Sequence, residues 1–266
     1  MIQFGIIGYP LEHSASADLF NRMFAETGYD ARYDEYAFAE EQQVEAFLRE
    51  GDFAGVNVTY PWKETVIRYL DKLEATAAAV GAVNVIDNRN GELTGYNTDT
   101  AGFAAAFDKI CKENGLLSSE IKALVLGTGG AAKAIAYVLG QRQTEFSLVS
   151  RSRTDCLLYT QLNGEIIKSH RLIINCTPLG MYPDVESLPP LPYETLGEEH
   201  ILFDSIYNPE ETLFLRRGRE QGAKTYNGRY MLEMQARAAW EIWKKQDEGA
   251  NNICPALTKP RFKESK

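Results

Sequence analysis

The chain has 266 residues, of which 44% are hydrophobic and 24% charged, a composition typical of a globular protein and unlike that of a disordered one. This length allows one large domain or two modest ones, and we favour two. The formal net charge of −9 argues against DNA or RNA as a partner, because the chain lacks the excess of Lys and Arg that would neutralise phosphates.

Cysteine and histidine usage argues against a metal site. The four cysteines show no CxxC spacing, and three histidines are too few for a His-rich site. We also find no signal-peptide pattern and no window apolar enough for a membrane span. These observations predict a cytoplasmic protein with no metal and no membrane partner, either a monomer or a homodimer.

Short apolar runs alternate with helical patterns over the first hundred residues. The patterns predict strands at 4–7, 31–38, 55–59, 83–87 and 92–96, and helices at 17–27, at 41–49 and from about Trp62. The Asn90-Gly91 pair between the last two strands is typical of a β-hairpin turn. This part of the chain therefore forms an α/β unit of its own.

A second alternation follows a helical segment that starts near Thr100. Strands are predicted at 123–126, 146–149, 172–175 and 200–204, the rhythm of a parallel sheet with crossovers. Residues 153–171 are short for a full strand and helix. The last helix, 231–243, is long enough to return to the first unit. We predict an α/β protein of two lobes, residues 1–99 with 229–249 and residues 100–228, followed by a poorly ordered tail at 250–266.

A glycine-rich turn, GTGGAAKAIAYVL at 127–139, follows the first strand of the second unit. Gly127, Gly129 and Ala132 fit the pattern G-x-G-x-x-G/A between a strand and a helix, the context that dinucleotide binding requires. The first glycine permits the tight turn, and the next residues, including Gly130 and Ala131, let a pyrophosphate approach the helix N-terminus. A glycine-rich connection without a ligand is the alternative.

The end of the next strand bears on which cofactor is bound. A ribose with a free 2′-hydroxyl usually meets an acidic residue there, but the sequence has Ser150, Arg151, Ser152 and Arg153. Guanidinium groups suit a 2′-phosphate, because they are permanently charged and donate in a fork. The sequence thus favours NADP(H) over NAD, with a solvated basic turn as the alternative.

Several strand ends in the first unit carry polar side chains, and ligands bind at this edge of open α/β sheets. Each such residue also has an ordinary role. Ser14 and Ser16 could cap a helix, Lys63 could lie on the surface, and Asp99 could be an N-cap. Individually, these residues do not decide between the two interpretations.

Taken together, the motifs resemble one family. The strings GYPLEHSAS, GVNVTYPWK, GAVNV, GYNTDTAGF, GTGGAAKA, NCTPLGM, YNPEETLFL and GRYMLEMQA occur in this order, and the chain resembles shikimate dehydrogenases over residues 5 to about 243. The resemblance implies a substrate-binding lobe, a Rossmann-type lobe and a C-terminal helix that returns to the first. It also implies reversible NADPH-dependent reduction of 3-dehydroshikimate to shikimate in aromatic amino-acid biosynthesis.

The resemblance also assigns roles to residues. Lys63 and Asp99 are the implied catalytic pair, and Ser14 and Ser16 would hold the ring carboxylate. The other implied substrate contacts are Thr59, Asn84, Gln235 and, from the cofactor side, Tyr207. The implied cofactor-binding residues are Gly127, Gly129, Gly130, Ala131, Ser150, Arg151, Arg153, Thr177, Met181 and Gly228, with Asn175 and Pro178 in the loop near the nicotinamide.

Two alternatives to this function stay open at the level of sequence. One is a quinate/shikimate dehydrogenase that uses NAD, which the two arginines disfavour. The other is a nucleotide-binding module without turnover, which the presence of both Lys63 and Asp99 disfavours. The sequence departs from many family members just after Ser16, where residues 17–21 read ADLFN, so the entry to the helix there is expected to differ slightly.

Overall fold

A computed structural model describes residues 1–12 and 14–244, which form two six-stranded sheets with helices on both faces. This arrangement confirms the predicted α/β class with two lobes. His13, the last residues of the predicted first lobe at 245–249 and the predicted tail at 250–266 lie outside the described residues. Within the described part of the chain, no helix is both long and apolar enough to cross a membrane.

The elements of the first lobe are β1 (Ile2–Gly8), α1 (Ser16–Thr27), β2 (Ala31–Ala37), α2 (Glu41–Glu50), β3 (Gly55–Val58), β4 (Lys72–Leu73), α3 (Ala75–Val80), β5 (Val85–Arg89) and β6 (Glu92–Tyr96). Their strands form one sheet with the order β2-β1-β3-β5-β6-β4. Only β5 is antiparallel to its neighbours, because the turn at Asn90-Gly91 reverses the chain between β5 and β6.

The remaining elements are α4 (Asp99–Asn114), β7 (Lys122–Leu126), α5 (Gly130–Gln141), β8 (Glu145–Ser150), β9 (Leu157–Leu158), α6 (Gly164–Ser169), β10 (Leu172–Asn175), β11 (Ile201–Asp204), α7 (Leu213–Glu220), β12 (Lys224–Tyr226) and α8 (Arg229–Lys244). Their strands form a second sheet, parallel throughout, with the order β12-β11-β10-β7-β8-β9. This is a doubly wound, Rossmann-type arrangement in which the strand order reverses between β7 and β10.

The prediction of a helix from about Trp62 is wrong. The chain instead makes a turn and a short 3-10 helix, Thr65–Tyr69. One reason is visible at Lys63, whose carbonyl accepts a hydrogen bond from the Val83 N–H at 2.8 Å and is therefore engaged outside any helix. The stretch 153–171 holds two-residue β9 and six-residue α6, as its shortness suggested.

Helix α8 connects the cores of the two lobes. Met231, near its start, packs in the core of the second lobe with Phe103 of α4. Trp243, near its end, is fully buried in the core of the first lobe. The Trp243 indole N–H donates to the Ile86 carbonyl at 3.1 Å, so the end of α8 is fixed to the first sheet. The predicted return of the last helix is thereby observed.

Candidate active site

A cavity of about 430 Å³ lies between the lobes, at the carboxyl ends of β1, β3, β7, β10 and β11. Most of the residues singled out in the sequence line it. They are Ser14, Ser16, Thr59, Lys63, Asn84, Asp99, Tyr207 and Gln235 from the substrate set, with Gly129, Gly130, Ala131, Thr177, Met181 and Gly228 from the cofactor set. Gly127, Ser150, Arg151 and Arg153 lie outside its lining.

Lys63 and Asp99 meet in this cavity, although 36 positions separate them in the chain. The Lys63 Nζ lies 2.5 Å from Asp99 Oδ2, and their side chains are 18% and 8% exposed. Lys63 follows β3 by five residues, and Asp99 is the first residue of α4. A charge-assisted hydrogen bond of this length holds the ammonium group in one place.

Asn84 holds the other oxygen of the Asp99 carboxylate. Its amide nitrogen donates to Asp99 Oδ1 at 3.0 Å and lies 3.3 Å from Gln235 Oε1. Its amide oxygen accepts from the Thr98 N–H at 2.6 Å. Because Asn84 is 2% exposed, this network fixes the carboxylate from the side away from Lys63. Gln235 of α8 enters the same network, so the last helix completes the site.

The opposite end of the cavity carries hydroxyl groups around the start of α1. Ser14 Oγ accepts from the Ser16 N–H at 3.3 Å, just before the helix, whose N-cap position is Ala15. The Tyr207 hydroxyl, from the second lobe, accepts from the Ala15 N–H at 3.3 Å. Burial raises the pKa of Tyr207, which keeps this phenol protonated. Hydroxyl groups and a helix N-terminus together suit an anionic group such as a carboxylate.

A buried tyrosine lies behind Ser16. Tyr33 of β2 is 1% exposed, and its hydroxyl donates to Asn57 Oδ1 at 2.6 Å. Burial raises the pKa of Tyr33 well above its usual value. Asn57, which lines the cavity, donates in turn to the Asn84 carbonyl at 3.1 Å.

The glycine-rich turn meets the second edge of the cavity and fits a dinucleotide. Gly127 has φ +112°, a left-handed conformation that favours glycine. No atom lies within 4 Å of the position that a Cβ on Gly129 would take, so the start of α5 is open to a pyrophosphate. A Cβ on Gly130 would lie 3.1 Å from Lys63 Cβ and Cδ, so α5 begins directly against the lysine stem.

The residues of the basic turn after β8 that were predicted to bind the cofactor have different surroundings. The Ser150 hydroxyl is buried and accepts from the Ser152 and Arg153 N–H groups at 3.3 and 3.1 Å, so it shapes the turn. Arg153 forms two hydrogen bonds with the Asp155 carboxylate, at 3.0 and 2.5 Å. Arg151 is exposed at the tip. Among these residues, Arg151 is therefore placed best for a 2′-phosphate.

The loop after β10 is held by a buried carboxylate. Asn175 accepts from the Thr177 N–H and hydroxyl at 3.0 and 2.7 Å and donates to Asp204 Oδ1 at 3.1 Å. Burial raises the pKa of Asp204 to about 6, against hydrogen bonds from Thr212, Ile206 and Asn175 that lower it. Burial also raises the pKa of the Cys176 thiol far above its usual value, which makes Cys176 a poor nucleophile.

Four residues were not singled out in the sequence: Tyr33, Asn57, Glu64 and Asp204. Glu64 pairs across the cleft with Lys133 of α5, Oε2 to Nζ at 2.6 Å. A signal for Asn57 exists, since an amide between Val56 and Val58 is out of place in a buried strand. Among the described residues, no group of three His, Cys, Asp or Glu side chains could hold a metal ion.

Comparison with known proteins identifies the family. A family model described as the shikimate dehydrogenase substrate binding domain matches residues 6–86. The shikimate dehydrogenase (NADP(+)) of Symbiobacterium thermophilum is 38% identical to this chain over an alignment of 261 positions. The alignment spans 90% of this chain and 87% of the relative.

Solved structures of the same family agree over most of the chain. The shikimate dehydrogenase of Aquifex aeolicus is 31% identical with a TM-score of 0.83, over 92% of this chain and 93% of that one. The Thermus thermophilus enzyme, solved in complex with NADP(H) and shikimate, is 31% identical with a TM-score of 0.80, over 92% and 94%. With this similarity over nine-tenths of its length, the chain belongs to the shikimate dehydrogenase family.

Proposed function

We propose that this protein catalyses the reversible NADPH-dependent reduction of 3-dehydroshikimate to shikimate, a step of aromatic amino-acid biosynthesis. The observation that carries the proposal is the Lys63–Asp99 pair, 2.5 Å apart in the cavity between the lobes and beside the glycine-rich turn. Relatives named shikimate dehydrogenase (NADP(+)) support it. The scattered cysteines suit the reducing cytoplasm, which we propose as the location.

The residues of the cavity suit this chemistry. Bound NADPH supplies the hydride, and negative charge then develops on the carbonyl oxygen of the substrate. The Lys63 ammonium stabilises that charge and passes a proton to the oxygen. Asp99 keeps the ammonium in place, and Asn84 keeps Asp99 in place. In the reverse direction, the same pair accepts the proton of the shikimate hydroxyl.

The two ends of the cavity orient the substrate. We assign Ser14, Ser16 and Tyr207 to the ring carboxylate, because three hydroxyl groups and the start of α1 converge there. We assign Thr59, Asn84 and Gln235 to the ring hydroxyls near Lys63. The substrate-binding unit is residues 1–99 with the returning helix, and the NADP-binding unit is residues 100–228.

Residues at the edge of the second sheet would hold the cofactor in this proposal. Gly127, Gly129, Gly130 and Ala131 would bind the pyrophosphate at the start of α5, and Arg151 would bind the 2′-phosphate. Thr177, Met181 and Gly228, which line the cavity, would contact the nicotinamide. Ser150 shapes the basic turn, and Arg153 acts as a secondary positive charge because Asp155 already pairs with it.

Steady-state oxidation of shikimate and of quinate, each with NADP⁺ and with NAD⁺, tests the proposal. We expect shikimate with NADP⁺ to give the highest kcat/KM. A higher kcat/KM with NAD⁺ would contradict the cofactor assignment, and a preference for quinate would contradict the substrate assignment. Binding of NADP⁺ and shikimate without turnover would indicate a nucleotide-binding module instead.

A further inference from the structure

Tyr33 occupies an unusual place beneath the cavity. It lies in the aromatic core of the first lobe, where its ring stacks on Phe20 with the centroids 4.6 Å apart and the planes 4° from parallel. The hydroxyl group, however, points away from this apolar packing and towards Asn57, a polar residue of the cleft. It donates to Asn57 Oδ1 at 2.6 Å.

The direction of these hydrogen bonds fixes one orientation of the Asn57 amide. A buried phenol stays protonated, so Tyr33 is always the donor to Asn57 Oδ1. The Asn57 amide nitrogen donates to the Asn84 carbonyl at 3.1 Å. Reversing the amide would place its oxygen against that carbonyl, which is repulsive, and would remove the acceptor of the Tyr33 hydroxyl. The observed arrangement of the amide is therefore the favoured one.

The same hydroxyl is connected to the Asp99 network through Asn57, which lines the cavity. Asn57 is bonded to the backbone of Asn84, whose side chain holds Asp99. Asn57 is 5% exposed, so water cannot easily replace the phenol in this role.

We propose that Tyr33 is a positioning residue for substrate binding: its hydroxyl holds the Asn57 amide, at the wall of the cavity, in the arrangement that the substrate requires. This inference rests on the proposed function. Tyr33 does not contact the reacting atoms. Its effect is therefore expected on the affinity for shikimate and not on the chemical step, because a fixed second layer preorganises the groups that bind.

The variant Tyr33→Phe removes the hydroxyl and keeps the ring. We expect the KM for shikimate to rise by about 5- to 50-fold, since a buried acceptor left without its donor is costly. We expect kcat to stay within about threefold and the KM for NADP⁺ to be unchanged. The matched control is Tyr36→Phe on the same strand, whose ring packs against Phe47 on the opposite face of the sheet and which should leave all three constants unchanged.

A double-mutant cycle with Asn57→Ala tests whether Tyr33 acts through Asn57. In the Asn57→Ala background, Tyr33→Phe should change the KM for shikimate by less than about threefold. The same factor in both backgrounds, or a fall in kcat with an unchanged KM, would overturn the inference. If Tyr33→Phe gave no folded protein, an unchanged KM for shikimate in Asn57→Ala alone would overturn it.

The wild-type protein separates the two proposals. Turnover of shikimate by the wild type, with an unchanged KM in Tyr33→Phe, would overturn the inference and leave the proposed function standing. Absence of shikimate turnover in the wild type would overturn the proposed function and this inference with it.

Discussion

The Asp99 carboxylate illustrates how single residues shape the site. One carboxylate oxygen is hydrogen-bonded to the Lys63 ammonium and the other to the Asn84 amide, so the carboxylate group is held in one orientation. The lysine stem is confined as well, because the start of α5 lies against it at Gly130. The proposed proton donor is thus held by Asp99 and by the start of α5, and a fixed donor would meet the carbonyl oxygen of a substrate in one geometry, which is what efficient proton transfer requires.

At the basic turn, the two arginines are expected to differ. Arg151→Ala should raise the KM for NADP⁺ by at least about tenfold and change the KM for NAD⁺ little, because only NADP⁺ carries the 2′-phosphate. Arg153→Ala should have a smaller effect, since Asp155 already pairs with that guanidinium group. Steady-state kinetics of both variants with both cofactors provides the comparison. Equal effects of Arg151→Ala on the two cofactors would contradict the assignment.

At this scale, the sequence motifs predict which residues meet in the cavity better than they predict what each residue does. Lys63, Asp99, Asn84 and Gln235 were expected together and lie together. Ser150 was expected to bind the 2′-phosphate, and its hydroxyl additionally accepts hydrogen bonds within its own turn. Tyr33 could not have been found, because its partners come from α1 and β3, and no local pattern records such contacts.

Among the elements, β11 ends in a residue that fixes the loops on the second-lobe side of the cavity. Asp204, its last residue, accepts hydrogen bonds from Asn175 of β10, from the Ile206 N–H and from Thr212 before α7. One buried carboxylate therefore joins three segments. The arrangement is costly when the carboxylate is charged, and this is why its pKa rises to about 6.

The raised pKa of Asp204 predicts a pH dependence of stability. Its folded-state pKa lies above the ordinary value of 3.8, so its stabilising contribution is complete below about pH 4 and is lost as the pH rises through about 6. The variant Asp204→Asn lacks this titration. The free energy of unfolding of the wild type minus that of the variant should therefore fall between about pH 4 and 7, by up to roughly 3 kcal/mol.

Denaturant titrations of both proteins at several pH values measure this difference. Effects of the substitution on packing do not depend on pH, so the slope isolates the titration of Asp204. A difference that stays constant across this range, or that increases with pH, would contradict the assigned direction.

Two helical glycines form a matched pair for stability. In α5, no atom lies within 4 Å of the position that a Cβ on Gly140 would take, so Gly140→Ala should stabilise the protein by up to about 1 kcal/mol. In α7, a Cβ on Gly218 would lie 2.2 Å from Leu202 Cδ2, so Gly218→Ala should destabilise it by about 1–3 kcal/mol. Thermal unfolding of the two variants decides, and a lower Tm for Gly140→Ala would count against the first expectation.

Element prediction from the sequence succeeded where the pattern is long and periodic, and it failed where tertiary contacts decide. The parallel strands of the second lobe and the hairpin of the first appear at the expected positions. The helix from Trp62 does not, because the Lys63 carbonyl bonds to Val83 twenty residues away. Local propensity contains no information about such a partner.

In the whole molecule, the proposed proton donor and the proposed cofactor site lie on different lobes. Lys63 follows a strand of the first sheet, whereas the glycine-rich turn belongs to the second. Helix α8 packs in both cores, and the Glu64–Lys133 ion pair spans the cleft beside Lys63. The geometry of the proposed reaction therefore depends on how the lobes meet, and its central requirement is that Lys63 acts across that cleft.

Single-turnover oxidation of shikimate by saturating NADP⁺, compared between the wild type and Lys63→Ala, tests this claim most directly. Shikimate binding is measured in parallel. We expect the rate of NADPH formation to be about 10²- to 10⁴-fold lower in the variant and the Kd of shikimate to rise by less than about tenfold, because the hydroxyl groups at the other end of the cavity remain. A single-turnover rate unchanged in Lys63→Ala would contradict it.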